Sequence, residues 1–216
     1  MTTIVLWRHG VTDWNAAGRF QGANCDNPMN DEGLAQSRAS APVVAAWQPT
    51  TIVSSPLLRA RQTADCVAAL TGVAVVTDDR LKEIDVGAWS GWTMAEVLAS
   101  DPTIAAAHAA DRDYRRGVTG ETVTEVGVRA GAALRDWATE DATVLVVAHG
   151  RALQMGAANL LGWDYAQSRA LSVMDNCAIS VLTSAADRWR IRVWNSSPAH
   201  WDNSANNSAS PAPAPI

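Results

Sequence analysis

The chain has 216 residues, 48% hydrophobic and 18% charged, which is enough apolar surface for one substantial core. That excludes wholesale disorder and leaves little room for a second large domain. Seventeen Lys and Arg against 22 Asp and Glu give a formal charge of −5, a sign that argues against a nucleic-acid or anionic-membrane partner, since each needs a basic face.

Met1-Thr2-Thr3-Ile4 carries no basic n-region, and no apolar run approaches the roughly 18 residues of a membrane span, so a cytoplasmic location and a small-molecule partner are expected. Ile4 to Trp7 is a short apolar run that stops at Arg8-His9-Gly10 and reads as a buried strand. Asp31 to Trp47 has helical spacing behind an Asn30 cap, and Pro42 inside it is expected to kink or split the helix. Thr51-Ile52-Val53 reads as a strand leading into Ser54-Ser55-Pro56, with Pro56 placed to open a helix through Leu57 to Leu70. Val73 to Val76 reads as a strand and Glu121 to Trp137 as a long helix. Val144 to Ala148 is another buried strand, ending at His149-Gly150, with a helix from Arg151 to Leu161 behind it.

The Ala-rich stretch from Asp101 to Gly117 fits no strand and is read as helical cover over a site. Ile179 to Thr183 and Trp189 to Trp194, with a turn at Ala185-Ala186-Asp187, read as a closing hairpin. From Ser196 the composition turns to Asn, Ser, Ala and Pro, so a single domain is expected over 1–195 and a disordered tail over 196–216. The alternation predicts an α/β fold: a mostly parallel sheet with helices on both faces, closed by an antiparallel hairpin. Ligands of such a sheet lie beyond the carboxyl ends of its strands. Cys25, Cys66 and Cys177 are far apart and odd in number, which suggests reduced thiols rather than a disulfide framework.

Two of the four histidines, His9 and His149, occupy the same unusual place, just past a buried strand and just before a glycine. Adjacent parallel strands would bring them together. Arg8 adjoins the first and Arg59 lies near the start of the helix after Ser54-Ser55-Pro56, so two imidazoles and two guanidiniums can converge on a tetrahedral dianion such as phosphate. A carboxylate is the lesser candidate. Taken singly, a strand-end His is more often structural and a lone Arg more often solvated; the set is harder to dismiss. A zinc site would want a third ligand at short spacing, and no H-x-H or H-x-x-x-H pair occurs. His108 and His200 fall in poorly patterned segments.

Four motifs resemble those of the histidine phosphatase superfamily, the phosphoglycerate mutase-like proteins. Arg8-His9-Gly10-Val11-Thr12 with Asn15 is similar to R-H-G-x-T-x-x-N, and Ser54 to Ala64 to S-S-P-L-x-R-A-x-Q-T-A. Leu81-Lys82-Glu83 with Gly87, Trp89 and Gly91 resembles L-x-E-x-x-x-G-x-W-x-G, and Val147-Ala148-His149-Gly150 the second-histidine motif. The resemblance implies a phosphohistidine intermediate on His9, with Arg8, Arg59 and a protonated His149 offsetting the phosphoryl charge. Glu83 would be the proton donor, its carboxyl raised in pKa by apolar neighbours such as Val86 or Trp89; Asp85 is the alternative acid. Asn15 and Gln21 match the family's polar substrate positions, and Gly22 and Gly150 would let backbone amides approach the phosphate. Thr12 is as suited to fixing its loop as to touching ligand. No metal and no other cofactor is implied, and dimerisation is a family-level expectation.

The family contains phosphatases and cofactor-dependent mutases. The mutases carry a longer basic insert between the Glu and second-His motifs, whereas Val86 to Thr143 is short and lacks Lys, and Thr119-Gly120-Glu121-Thr122 is similar to the phosphatases' G-G-E-S-like turn. Hydrolysis of a small phosphorylated metabolite is therefore favoured. Trp189 to Ser196 resembles the closing strand of actinobacterial glucosyl-3-phosphoglycerate phosphatases, which suggests a sugar-phosphoglycerate or similar phosphomonoester. Trp7, Ser90 and the Gln21 to Pro28 loop depart from the family pattern. A phosphate-sensing protein without turnover is the reading from another class.

Overall fold

The computed structural model describes residues 1–110, 112–185 and 188–197. Among them, one sheet runs in the order β3-β2-β4-β1-β5-β6, built from β1 (Thr2–Arg8), β2 (Thr51–Ser54), β3 (Val75–Thr77), β4 (Thr143–Ala148), β5 (Ile179–Ala185) and β6 (Arg188–Ser196). The first four are mutually parallel where they pair, while β5 is antiparallel to β1 and β6 to β5. This is the mostly parallel sheet with a closing hairpin that the alternation predicts. The hairpin's expected turn residues 186 and 187 lie outside the described residues. So does the expected tail from 198 on, and β6 runs to Ser196, one residue past the predicted boundary.

The helices are α1 (Asp13–Ala16), α2 (Asp31–Ala45), α3 (Leu58–Thr71), α4 (Met94–Ser100), α5 (Pro102–Ala109), α6 (Val123–Trp137), α7 (Gly150–Leu160) and α8 (Tyr165–Ser168). Alternation along β1 decides which helix covers which face. Ile4 and Leu6 join Leu134 of α6 and Leu153 and Ala157 of α7 in one core. Val5 and Trp7 face the other way, toward Val44 of α2 and Ala60, Ala64 and Val67 of α3. Each such buried aliphatic side chain contributes about 1.5–3 kcal/mol, so both layers hold the sheet edge firmly. Trp7 fits its slot because its indole N–H finds the Cys177 carbonyl at 3.1 Å. Among the described residues, no helix is long and apolar enough to cross a membrane.

Three local expectations are corrected. Pro42 does not split α2, which runs unbroken to Ala45. Proline removes one N–H from the ladder, but Pro42 is exposed and the Ala46 N–H donates to its carbonyl at 3.0 Å, so the loss stays local. Pro56 does not open α3, which begins at Leu58 with Leu57 as an N-cap that has no side-chain bond; the Asp26 carboxylate accepts from the Leu58 N–H instead. Among the described residues of the 101–117 stretch, the helix ends at Ala109. Ile104 of α5 packs with Val86, Trp89 and Met155 in a third core that floors the site.

Candidate active site

Register places the two histidines. Arg8 pairs with Ala148 across β1 and β4, and the His9 N–H donates to the Ala148 carbonyl at 3.1 Å. His9 and His149 therefore leave neighbouring parallel strands at one level, with ring centroids 5.1 Å apart and planes inclined by 60°. The His9 carbonyl is tied down from behind by the Asn176 side chain at 3.0 Å.

His9 Nδ1 lies 2.7 Å from the Gly10 carbonyl. A carbonyl only accepts, so Nδ1 carries the proton and Nε2 keeps its lone pair. Burial first, and then the Arg8 and Arg59 guanidiniums, hold the His9 pKa well below its ordinary value. His149 is displaced the same way, by burial and then by Arg59, His9 and Arg8. In the free protein a buried ring among fixed cations is thus held toward its neutral form, and the guanidiniums supply the positive charge. His149 Nε2 meets Ser55 Oγ at 2.8 Å.

A cavity of 190 Å³ opens beside His9. Arg8, Asn15, Gln21, Gly22, Arg59, Glu83 and Gly150 line it with His9, and the His149 ring packs against that of His9. Thr12 caps α1 in a reciprocal capping box with Asn15. Asn15 Oδ1 accepts from the Thr12 N–H, the Thr12 hydroxyl and Asn176, which leaves its amide N–H groups for a ligand. Gly22 has φ +66°, and a Cβ there would come within 2.7 Å of Val86 Cγ2. A Cβ on Gly150 would stand 3.3 Å from the Arg8 guanidinium carbon, so glycine is what lets that guanidinium lie against the start of α7.

Four buried polar atoms here have no hydrogen-bond partner: Arg8 Nε, Arg59 Nε, His149 Nδ1 and Gln21 Oε1. Elsewhere these side chains are well held. Arg8 donates to the Met174 carbonyl, and Arg59 to the carbonyls of Cys25 at 2.8 Å and Gly22 at 3.1 Å. Burial lowers the pKa of both arginines, with the Glu83 carboxylate as the largest opposing influence. Two guanidinium N–H groups kept dry and unbonded are costly unless an anion meets them.

Glu83 shares the cavity wall with Ile84, Val86 and Val173, and backbone amides reach it as well. Its oxygens accept backbone N–H bonds from Ile84 at 2.9 Å, Ala152 at 3.1 Å and Arg151 at 3.2 Å, the last two from the first turn of α7. Arg129 of α6 fixes the strand of chain that carries it, donating to the carbonyls of Arg80, Lys82 and Glu83. Arg129 is itself paired with Glu121 at 2.7 Å. Asp85 lies off the cavity wall, accepting from Asn24 at 2.9 Å and the Gly87 N–H at 2.8 Å, so it is not placed as the alternative acid. Arg151, Arg129 and Asn176 were not singled out from the sequence. For Arg151 a signal existed, a cation directly after the strand-end His-Gly. Among the described residues, no group of three or more His, Cys, Asp or Glu is arranged to hold a metal ion.

Comparison with known proteins agrees with this geometry. A family model for the Histidine phosphatase superfamily (branch 1) matches residues 4–197. A glucosyl-3-phosphoglycerate phosphatase of Mycolicibacterium vanbaalenii is 36% identical, with 90% of this chain and 94% of that protein aligned. A probable phosphoglycerate mutase of Yersinia pestis is 33% identical over 90% of each chain. Among solved structures, a mycobacterial glucosyl-3-phosphoglycerate phosphatase complexed with VO3 superposes with a TM-score of 0.84 at 34% identity, covering 91% of this chain and all of that one.

Proposed function

The chain belongs to branch 1 of the histidine phosphatase superfamily and is a phosphatase; from that membership we propose that it hydrolyses a small phosphomonoester, without a metal, through a phosphohistidine on His9. The observation that carries the reading is the convergence of His9 Nε2 with three unpartnered nitrogens, those of Arg8, Arg59 and His149, at one buried place.

In the first step His9 Nε2 forms the bond to phosphorus as the bond to the leaving oxygen breaks, and Glu83 delivers its proton to that oxygen. The proton stays on Nδ1, which goes on donating to the Gly10 carbonyl, so the ring holds its orientation while charge develops on it. Arg8 Nε, Arg59 Nε and His149 Nδ1 are the atoms left to meet the equatorial oxygens. Donors aimed in advance at developing charge, in a site that excludes water, are the main source of phosphoryl-transfer catalysis. In the second step Glu83 takes a proton from water, whose oxygen bonds to phosphorus as the P–N bond breaks. Asn15 and backbone near Gly22 and Gly150 complete the phosphoryl cradle, and Gln21 Oε1, an acceptor, suits a substrate hydroxyl.

The names of the relatives support a sugar phosphate or phosphoglycerate derivative, such as glucosyl-3-phosphoglycerate, as the substrate. The Yersinia relative keeps a second reading in view, transfer to another hydroxyl dependent on 2,3-bisphosphoglycerate; the short, lysine-free stretch from Val86 to Thr143 weighs against it. Hydrolysis of an aryl phosphate by the wild type in the presence of chelator, absent in His9→Ala, tests the proposal. Loss of wild-type activity on chelation contradicts metal independence, and no turnover of any phosphomonoester contradicts the phosphatase reading.

A further inference from the structure

The phosphoryl cavity continues into a second chamber of 280 Å³, and the two share Phe20, Ile84, Val86, Arg151 and Val173 as wall. Arg151 is the charged residue common to both. Its NH1 donates to Gln154 Oε1 at 2.6 Å, and Gln154, buried within α7, is fixed in turn by donating to the Leu171 carbonyl. Glu83 is bonded to the Arg151 backbone N–H, not to its guanidinium. Among the described residues, no carboxylate stands at ion-pair distance from Arg151. The chamber's Arg116 differs: Asp113 pairs with it at 2.9 Å, and it lies over the Tyr114 ring at 4.1 Å.

A guanidinium held in one orientation and partly removed from water, with Glu83 acting on it only from beyond ion-pair distance, is a recognition element for a planar anion. Resting on the phosphatase reading above, we infer that Arg151, oriented by Gln154 at the junction of the two cavities, binds a carboxylate carried by the leaving alcohol close to the phosphate ester. The rest of that alcohol then sits in the chamber against Phe20, Trp89 and Tyr114, whose rings follow one another at centroid spacings of 6.3 and 6.2 Å. One guanidinium with part of its donor set engaged by Gln154 matches two carboxylate oxygens.

The test uses 3-phosphoglycerate and glycerol 3-phosphate, which differ in carrying a carboxylate or a hydroxymethyl group at one carbon. The wild type is expected to favour the carboxylate ester by at least about tenfold in kcat/KM, the worth of one charge-assisted hydrogen-bond pair. Arg151→Gln is expected to bring the ratio close to one, chiefly through KM, and Arg151→Lys to restore part of it. Gln154→Met, which frees the guanidinium without removing it, should lower the ratio to an intermediate value and provides the measurement if Arg151→Gln does not fold. A wild-type ratio near one, or equal losses on both esters in the variants, overturns the assignment while hydrolysis of an aryl phosphate still upholds the phosphatase reading. Failure of the wild type on all three substrates overturns both.

Discussion

The His9 and His149 rings lie 5.1 Å apart because Arg8 and Ala148, one residue before each, are register partners in adjacent parallel strands. Both rings are held toward their neutral form by burial first and then by the same cations that await the phosphoryl group. The pair therefore acts as a unit. We expect His9→Ala to lower kcat by about 10³-fold or more, as loss of a nucleophile does. His149→Ala removes one preorganised donor and should cost about 10²–10³-fold. The double variant should be little worse than His9→Ala; a multiplicative loss would show that the two act independently.

Glu83 touches the reaction through the leaving oxygen, so its value depends on how badly that oxygen needs a proton. Glu83→Gln keeps an acceptor for the α7 amides but has no proton to deliver. We expect a loss of about 10²–10⁴-fold in kcat on an alkyl phosphate and a much smaller one on a nitrophenyl phosphate. Equal losses on both would remove Glu83 from the role of proton donor.

The depressed histidine pKa values also set an acid limit on stability. A folded-state pKa below the unfolded one means that the unfolded chain binds more protons, so stability is complete above the ordinary histidine value of about 6.5 and is lost as pH falls below it. With His9 and His149 both held toward neutrality in the fold, the slope should rise toward about 2.7 kcal/mol per pH unit, two protons' worth, as pH falls a unit or more below about 6.5. Asp78, held down to about 2 by Arg80 and Trp137, contributes in the same direction only once pH falls below its ordinary value. Denaturant titrations between pH 7.5 and 5 should show this slope, and His149→Gln should halve it. An unchanged slope in that variant would mean that His149 is not a buried neutral base.

Arg129 holds the Glu83 segment by three carbonyls and the Glu121 carboxylate. Arg129→Lys keeps the charge but not the planar fork, so we expect it to lower unfolding stability by about 2 kcal/mol and to lower kcat with little change in KM. Since Arg129 is absent from the cavity wall, a pure KM effect would contradict a positioning role.

The site was legible wherever chemistry sits at the end of a buried apolar run. Ile4 to Trp7 and Val144 to Ala148 announced two strands, and the His-Gly after each needed only parallel pairing to meet. What the sequence does not display are partners brought in from elsewhere: Asp26 capping α3, Arg129 reaching three carbonyls, and Gln154 orienting Arg151. Each is a polar side chain whose role exists only after folding. The downward shift of His149 in the free protein is hidden in the sequence for the same reason, since burial and the nearness of three guanidiniums are tertiary facts. Pro42 misled in another way: local propensity argues for a break, but the Ala46 N–H rejoins the ladder at Pro42 itself.

The covalent step is tested most directly by rapid quench of the wild type with a ³²P-labelled phosphomonoester, followed by peptide mapping in alkali. We expect acid-labile, alkali-stable label on His9, formed within one turnover and discharged by water, and none on His9→Ala. Full turnover with no label on His9 at any time would contradict the mechanism.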